Sequence, residues 1–386
     1  MRKLIFIFFL FSFVVKGQDP DSVRNKKPEL SGYIKTMEQF SFIDSPDTAS
    51  LSSLVHNRLN FKWMPIDHWL LRVEARNRIF YGDQIKANPK FMKAIGEDQG
   101  AMNLSKVWVD EYSVGVHSMI DRALINYSGK HLDVTVGRQR INWGLNMIWN
   151  PNDIFNTYNF FDFDYEERPG SDAVRVQYNW GGFSSVEFAA KKGKADDDHT
   201  AAMLFKGNSH SYDYQGMAGI YKKDVVLGLG WAGNIKEAGF KGEFSYFHPY
   251  ENLADTSGIL NGSVSFDYSF SNGLYVHLSG YYNSAGSDNL NLFSSQQFFI
   301  VNPKQLLPFK YAGFLQFSKQ ITPLFMLGLS NIYSPANDTW VIVPSAQYSI
   351  ASNWEITLLG QSFFSDVNNV YRSLGNSAFL RFKFSF

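Results

Sequence analysis

Nine of the 13 arginines fall between positions 58 and 175: Arg58, Arg72, Arg76, Arg78, Arg122, Arg138, Arg140, Arg168 and Arg175. A guanidinium stays charged at any physiological pH and offers a planar fork of N–H donors to carboxylate or phosphate. Gathered on one surface, such groups attract and steer anions. A second group carries the opposite sign. Between Phe155 and Pro169, Phe160, Phe161, Phe163 and Tyr165 interleave with Asp162, Asp164, Glu166 and Glu167. A loop this aromatic is expected to pack inward and to set its acids across from the arginines.

Other candidate chemistry is weaker. His277 and Ser279 lie two apart on one strand face, but no acidic or amide group can be placed to orient the histidine, so a hydrolase triad does not follow. Asp196, Asp197, Asp198 and His199 could offer oxygen ligands to a divalent cation, and read better as a solvated loop tip. No pair among the eight histidines has zinc spacing. Gly228, Gly230 and Gly233 in LGLGWAG lack the following helix that a nucleotide fingerprint needs. No enzyme activity, cofactor or metal is expected.

The elements that must position the arginines are strands with one apolar and one polar face. Val55, Asn57, Leu59, Phe61 and Trp63 alternate with His56, Arg58, Asn60 and Lys62. After a turn at Met64-Pro65-Ile66, Trp69, Leu71, Val73, Ala75 and Ile79 alternate with Arg72, Glu74, Arg76 and Arg78. The pattern returns at Leu260–Phe270 and Leu274–Tyr282, joined by Ser271-Asn272-Gly273, a strong hairpin signal. Further tight turns are read at 128–131, 179–182, 319–323 and 351–353, and long polar connections at 81–106, 150–170, 191–200, 249–258, 284–309 and 365–372. Short turns at one end and long loops at the other, with hydrocarbon outside and water inside, describe a transmembrane antiparallel up-and-down β-barrel. About 16 strands are expected, within 14 to 18, the larger number requiring separate strands near 200–206 and 224–232.

Composition sets the limits. The 386 residues include no cysteine, which excludes disulfides, thiolate metal sites, a cysteine nucleophile and a lipidated N-terminal cysteine. Lysine plus arginine equals aspartate plus glutamate at 36 each, so there is no net basic footprint for nucleic acid. Charged residues are only 19 %, which argues against disorder. Arg2 and Lys3, the apolar run Leu4–Val15 and the small residue Gly17 read as a signal peptide over 1–17. Its apolar core is too short to span a bilayer, which takes ~20 residues. A periplasmic segment over 18–29 and a barrel over 30–386 follow.

Strict alternation from Leu132, Val134 and Val136 would send Arg138 and Arg140 toward lipid, at ~2–4 kcal/mol each near the midplane. A bulge at Gly137 would turn Arg138, Arg140 and Asn142 to the lumen and Ile141 and Trp143 to lipid. The alternative is that both arginines sit at the wet rim without a bulge. The inward-facing set is then Arg58, Arg72, Glu74, Arg76, Arg78, Arg138, Arg140, Asn142 and Arg175, narrowed by a constriction loop carrying Phe160, Phe161, Asp162, Asp164, Glu166 and Glu167.

Two segments carry a resemblance. Alternation through Ala378, Leu380, Phe382, Phe384 and the final Phe386 resembles the C-terminal signature of Gram-negative outer-membrane proteins. Gly137-Arg138-Gln139, Trp143-Gly144 and Asn150-Pro151 resemble the pattern of alginate-export-like and other porin-like barrels. The resemblance covers 137–153 and implies an outer-membrane barrel with a basic interior and anionic cargo. Expected partners are outer-membrane lipids and small solutes. A rival reading is an accessory barrel with a blocked lumen, bound to other outer-membrane proteins in a larger assembly such as a polysaccharide-export machine.

Overall fold

The computed structural model describes residues 27–43, 45–157, 159–160, 164, 167, 170–195, 197–251, 256–288 and 301–386. The expected signal peptide, like Phe161, Asp162 and Glu166 of the expected constriction loop, lies outside the described residues.

The first strands are β1 (Glu29–Phe42), β2 (Ser50–Trp63) and β3 (Trp69–Gly82), followed by two short helices, α1 (Asp83–Ala87) and α2 (Phe91–Ile95). Then come β4 (Ser105–Glu111), β5 (Val114–Ser128), β6 (Leu132–Gln139), β7 (Ser171–Gly181), β8 (Ser184–Lys192) and β9 (His199–Ser209). Next are β10 (Tyr212–Tyr221), β11 (Asp224–Ile235), β12 (Ala238–Pro249), β13 (Ile259–Ser269) and β14 (Leu274–Asn283). The last are β15 (Tyr311–Thr322), β16 (Phe325–Ser334), β17 (Thr339–Ala351), β18 (Trp354–Val367) and β19 (Val370–Ser385).

All pair antiparallel with their neighbours in the wall, and β19 returns to β1 from Tyr33↔Ser385 to Phe42↔Asn376. Paired backbone bonds between Gly32 and Phe386, both 2.9 Å, complete the seam. Closure leaves no open edge, the condition for strands in hydrocarbon. The wall has 18 strands rather than 16, because β9 and β11, the two weakly patterned segments, are both full strands. The segment 365–372 is also not a loop: Asn368 and Asn369, both at positive φ, turn the chain in two residues.

The exterior repeats one pattern around the wall. Val55, Leu59, Ile79, Ile125, Leu227, Leu278, Leu315 and Leu358 are all exposed there. Trp63, Trp69, Trp180, Trp354 and Tyr348 mark the short-turn end, the aromatic girdle of a membrane barrel. Where Asn57, Asn77 and Ser118 interrupt the apolar face, they satisfy one another. The Asn57 amide donates to Tyr33 O, Asn77 to Asn57 Oδ1, and Ser118 to Asn77 Oδ1, at 3.3, 3.2 and 2.7 Å.

The fourth strand is not an independent stave. β6 ends at Gln139, and β4 pairs with the upper part of β5 in the place that a longer β6 would fill. The chain then leaves the wall and enters the lumen through residues 140–156. Gly137 lies at the exit with φ +115°, a conformation that costs glycine little, and an added Cβ would meet Ala123 O at 2.2 Å. The expected bulge is elsewhere: β6 keeps continuous register with β5 and β7, and the shift falls where β5 pairs with Glu74 and Ala75, at Asp121.

Candidate functional site

Residues 140–156 pack against the inner face of β7–β13. Ile141, Trp143, Ile154 and Phe155 join Ala189, Leu204, Met217 and Phe247 in one dry cluster. Ile141 and Trp143 therefore face the interior, not lipid; Trp143 is 1 % exposed and donates its indole N–H to Glu187 Oε1 at 2.6 Å. Both lipid and a packed lumen accept an apolar side chain, and alternation does not tell them apart. Asparagines tie the segment down. Asn156 Oδ1 accepts from the Ile141 amide at 2.8 Å, and Asn152 donates to Leu229 O at 3.0 Å. Glu243, fully buried on β12, accepts from the backbone amides of Leu145, Asn146 and Asn152. A buried carboxylate costs several kcal/mol unless such donors replace water. Beyond this segment, Ile148, Trp149, Leu306, Leu307 and Phe309 meet Tyr281, Phe314, Val341 and Phe363 from the wall. Arg140, Asn142 and Met147 are the exposed side chains of the inserted segment.

The β1–β5 side is different. Lys35 on β1, Arg58 on β2 and Arg76 and Arg78 on β3 are buried on the inward face, while Arg72 keeps half its side chain exposed. Arg58 pairs with Glu74, with Asp121 at 2.6 Å and with Glu167 at 3.6 Å. Arg72 reaches the other oxygen of Glu74, and Arg76 lies 3.2 Å from Asp121. Asp164 is the hub of a second group, 3.3 Å from Lys35, 2.8 Å from His56 and 3.7 Å from Arg78. The Lys35 ammonium also donates to its carbonyl oxygen at 2.5 Å. Tyr33 donates to Glu167 at 3.1 Å. Burial alone would raise the Asp164 pKa; the His56 hydrogen bond and the charges of Lys35, His56 and Arg78 outweigh it and hold the carboxyl well below the usual range. Thus Asp164 and Glu167 lie across from basic groups distant in sequence. Phe160 packs on Phe314 with ring centroids 5.4 Å apart.

Arg138 has a different setting. It is 2 % exposed, with Nε and one terminal nitrogen on Asp172 at 2.7 and 2.9 Å. The remaining N–H groups reach Asp98 at 2.7 Å, Ile120 O at 3.3 Å and Met102 O at 2.6 Å. All five guanidinium donors are committed to protein acceptors, so Arg138 clamps the segment leading into β4 onto β5, β6 and β7. Burial of Asp98 opposes ionisation, but the Arg138 hydrogen bond and the amides of Gly100 and Leu104 hold its pKa below normal. Arg175, partly exposed, pairs with Glu187 at 2.8 Å and lies 4.0 Å from Asp133.

Sequence reasoning missed Lys35, Asp98, Asp121, Asp172 and Glu243. Lys35, Asp121 and Glu243 could have been found as charged residues at inward parity in their strands; Asp98 sits in a loop and carries no such signal. The weaker candidates do not assemble. Ser279 donates to Val264 O at 3.2 Å, while the His277 ring packs edge-on against Phe314 and has no hydrogen-bond partner among the described residues. His117 meets Ser105 at 2.8 Å and accepts from Arg78 at 3.3 Å, so its proton points at the serine, which donates to Gly96 O at 2.8 Å. That is the wrong direction for a general base. Asp197 and Asp198 pair with Lys223 and Lys222, Asp196 lies outside the described residues, and among those described no group of three or more His, Asp or Glu could hold a metal ion.

No protein-family model and no curated protein matches the sequence. Solved structures match the fold. The chain is similar to OccK11 (OpdR) of Pseudomonas aeruginosa, with TM-score 0.59 and 8 % identity over 93 % of this chain and 96 % of that one. It is also similar to OccAB4 of Acinetobacter baumannii, with TM-score 0.58 and 9 % identity over 94 % and 99 % of the two chains. These are outer-membrane porins of the Occ/OprD group, and the likeness is one of fold: a closed antiparallel β-barrel of 18 strands.

Proposed function

We propose that the chain is a selective channel of the bacterial outer membrane for small anionic or polar solutes, with its path along the β1–β5 side of the interior. The observation that carries this reading is the file of Lys35, Arg58, Arg72, Arg76 and Arg78 on the inward face of three adjacent strands, inside a barrel with an apolar exterior. Arg381 and Lys383 extend it onto β19, which lies beside β1. Among the described residues, the carboxylates facing this file, Glu74, Asp121, Asp164, Glu167 and Glu355, are fewer than its cations. A net positive lining raises anion concentration and lowers cation passage. Arg72, Arg140 and Asn142 are the exposed polar groups that a solute would meet, and Asp164 and Glu167 with Phe160 narrow the way. Arg58, Glu74, Arg76 and Arg78 line it through their pairs, and Arg175, on β7, adds a partly exposed charge beyond that side. Arg138 supports the wall rather than the path. The porin fold of the neighbours favours a channel over an enzyme, and the likeness of 137–153 to alginate-export-like barrels agrees with an anionic cargo.

The test is the zero-current potential in planar bilayers under a potassium chloride gradient. Anion selectivity is expected, moving toward cations when Arg72→Glu and Arg140→Glu are combined. Unchanged permeability ratios would remove the anionic claim. The packing of residues 140–156 and 301–309 inside the wall favours a second reading, an accessory barrel with a blocked lumen in a larger outer-membrane assembly. That barrel would give no current or rare openings.

A further inference from the structure

The lipid-facing wall carries a groove of about 650 Å³ across β15–β19. Phe317 pairs with Leu329 and Lys319 with Leu327, and Phe317, Leu327 and Leu329 are exposed, so this row faces outward. Pro344, the partner of Leu329 on β17, makes the depression. A proline has no N–H for the ladder, and the pairing of β17 with β18 passes from Ile342↔Ser362 to Ser345↔Leu359 around it. Gly360 leaves the space to the proline ring: a Cβ there would lie 2.9 Å from Pro344 Cγ. With Ala346 and Ala378 these residues form a low floor beside the taller Phe317 and Leu329. Hydrocarbon is the solvent at this depth, so the groove is filled by a chain, which regains dispersion contacts that a void would forfeit. One end of the groove is charged. Lys319 lines it near the Thr322 end of β15, beside a short turn. It is half-buried, its neighbours in the outward row are Leu274 and Leu327, and no carboxylate pairs with it among the described residues. A lysine is tolerated on the lipid face where its ammonium can snorkel to the interface. Tyr348 and Trp354, on strands of the same sector, mark that level.

We propose that the groove is a binding site for one anionic glycerophospholipid of the periplasmic leaflet, with an acyl chain over Pro344, Ala346, Gly360 and Ala378 and the headgroup phosphate on the Lys319 ammonium. The leaflet follows from the short turns, which face the periplasm in barrels of this kind. The charge follows from the lysine. An anionic headgroup offers it a whole negative charge, whereas a zwitterionic one brings an ammonium of its own. A second copy of the chain is the poorer occupant, because the leucines, alanines and proline around the groove offer Lys319 no carboxylate to meet in hydrocarbon. The site is on the outside of the wall and does not depend on whether the lumen conducts.

The experiment is native mass spectrometry of the detergent-purified protein, with palmitoyl-oleoyl phosphatidylglycerol, phosphatidylethanolamine and diacylglycerol as probes. One phosphatidylglycerol is expected to bind saturably and more tightly than phosphatidylethanolamine, with diacylglycerol last. Lys319→Gln should weaken phosphatidylglycerol about fivefold and remove its lead over phosphatidylethanolamine. Ala346→Phe, which fills the floor, should weaken both phospholipids. Leu227→Phe, at an exposed lipid-facing position on β11, should weaken neither. Either groove variant tests the site should the other fail to fold. Equal binding of the two phospholipids by the unaltered protein, or indifference of phosphatidylglycerol to either groove substitution in a folded barrel, overturns the proposal. So does a dimer that excludes lipid and is lost in Ala346→Phe, which would give the groove to a second copy.

Discussion

The inner surface has two sectors that share one exterior. Along β7–β17 the lumen is dry: Phe247, Phe309 and Phe314 are fully buried, and the 140–156 segment fills the space beside them. Along β1–β5 it is ionic, with cations and carboxylates paired and Arg72 open to water. Outside, the same apolar alternation covers both. Lipid dictates the outer face residue by residue, whereas the inner face answers to whatever occupies the bore. The inner face is therefore where this barrel can differ from others of its shape.

The boundary between the sectors is the clamp at Arg138, and the largest effect is expected there. Arg138→Ala leaves Asp98 and Asp172 buried without their partner, at a cost of about 3–5 kcal/mol. Urea unfolding in lipid vesicles, followed by tryptophan fluorescence, should show it. Arg138→Lys should rescue little, because an ammonium cannot serve five acceptors in a plane. A loss below about 1 kcal/mol would mean that β4 holds its place without the clamp.

In the dry sector, Phe314→Ala should cost about 3–5 kcal/mol by the same assay, since the ring touches Trp149, Phe160 and His277 and is fully buried. A much smaller value would indicate that water already reaches this side, and the contrast between sectors would fail.

How much of this could be read in advance follows the same division. The alternation at Val55–Trp63 and Trp69–Ile79 gave the outward face, and parity alone sent Arg58, Arg72, Arg76 and Arg78 inward, because strands repeat every two residues. The inserted segment was hidden: Ile141 and Trp143 satisfy a lipid-facing pattern equally well, and the exit depends on one backbone angle at Gly137. The preferred count of 16 fell short of 18, inside the expected range, for a related reason. β11 reads weakly because Gly228 and Gly230 hold inward positions, where a Cβ would meet Asn152 Oδ1 at 2.5 Å and Leu145 Cδ1 at 3.0 Å. The small residues make room for the inserted chain, and they thin the very pattern by which the strand is recognised. The individual partners of Asp164 and Arg138 were equally out of reach, since Lys35, His56 and Arg78 meet a loop residue and Asp98 comes from another loop, neither placed by local sequence.

Asp164 tests the ionic sector by pH. Its pKa is lower folded than unfolded, so its contribution is complete above the unfolded value of ~4 and is lost as pH falls from there through the folded value. Conductance should therefore be steady from neutrality down to about pH 4 with respect to this group, and change below it as the loop contact loosens. Asp164→Asn should reproduce the acid behaviour at neutral pH, with about 1–3 kcal/mol of lost stability. A variant with wild-type conductance and stability would show that the loop is held by its aromatic side chains alone.

The smallest stability effect is expected at Arg72, and that is its value. Half the side chain is in water and its partner Glu74 keeps Arg58, so Arg72→Ala should change stability by less than about 0.5 kcal/mol. Exposure that makes the residue cheap to remove also makes it available to a passing ion, unlike Arg58 or Arg138, whose donors are taken up by protein. Arg72→Ala should lower the anion-to-cation permeability ratio while the unfolding midpoint stays put, and the effect should shrink with salt as the charge is screened over a Debye length of ~10 Å at 0.1 M. If stability falls and selectivity does not, Arg72 belongs with the buried pairs, and the water-facing groups must be sought on the inserted segment, at Arg140 and Asn142.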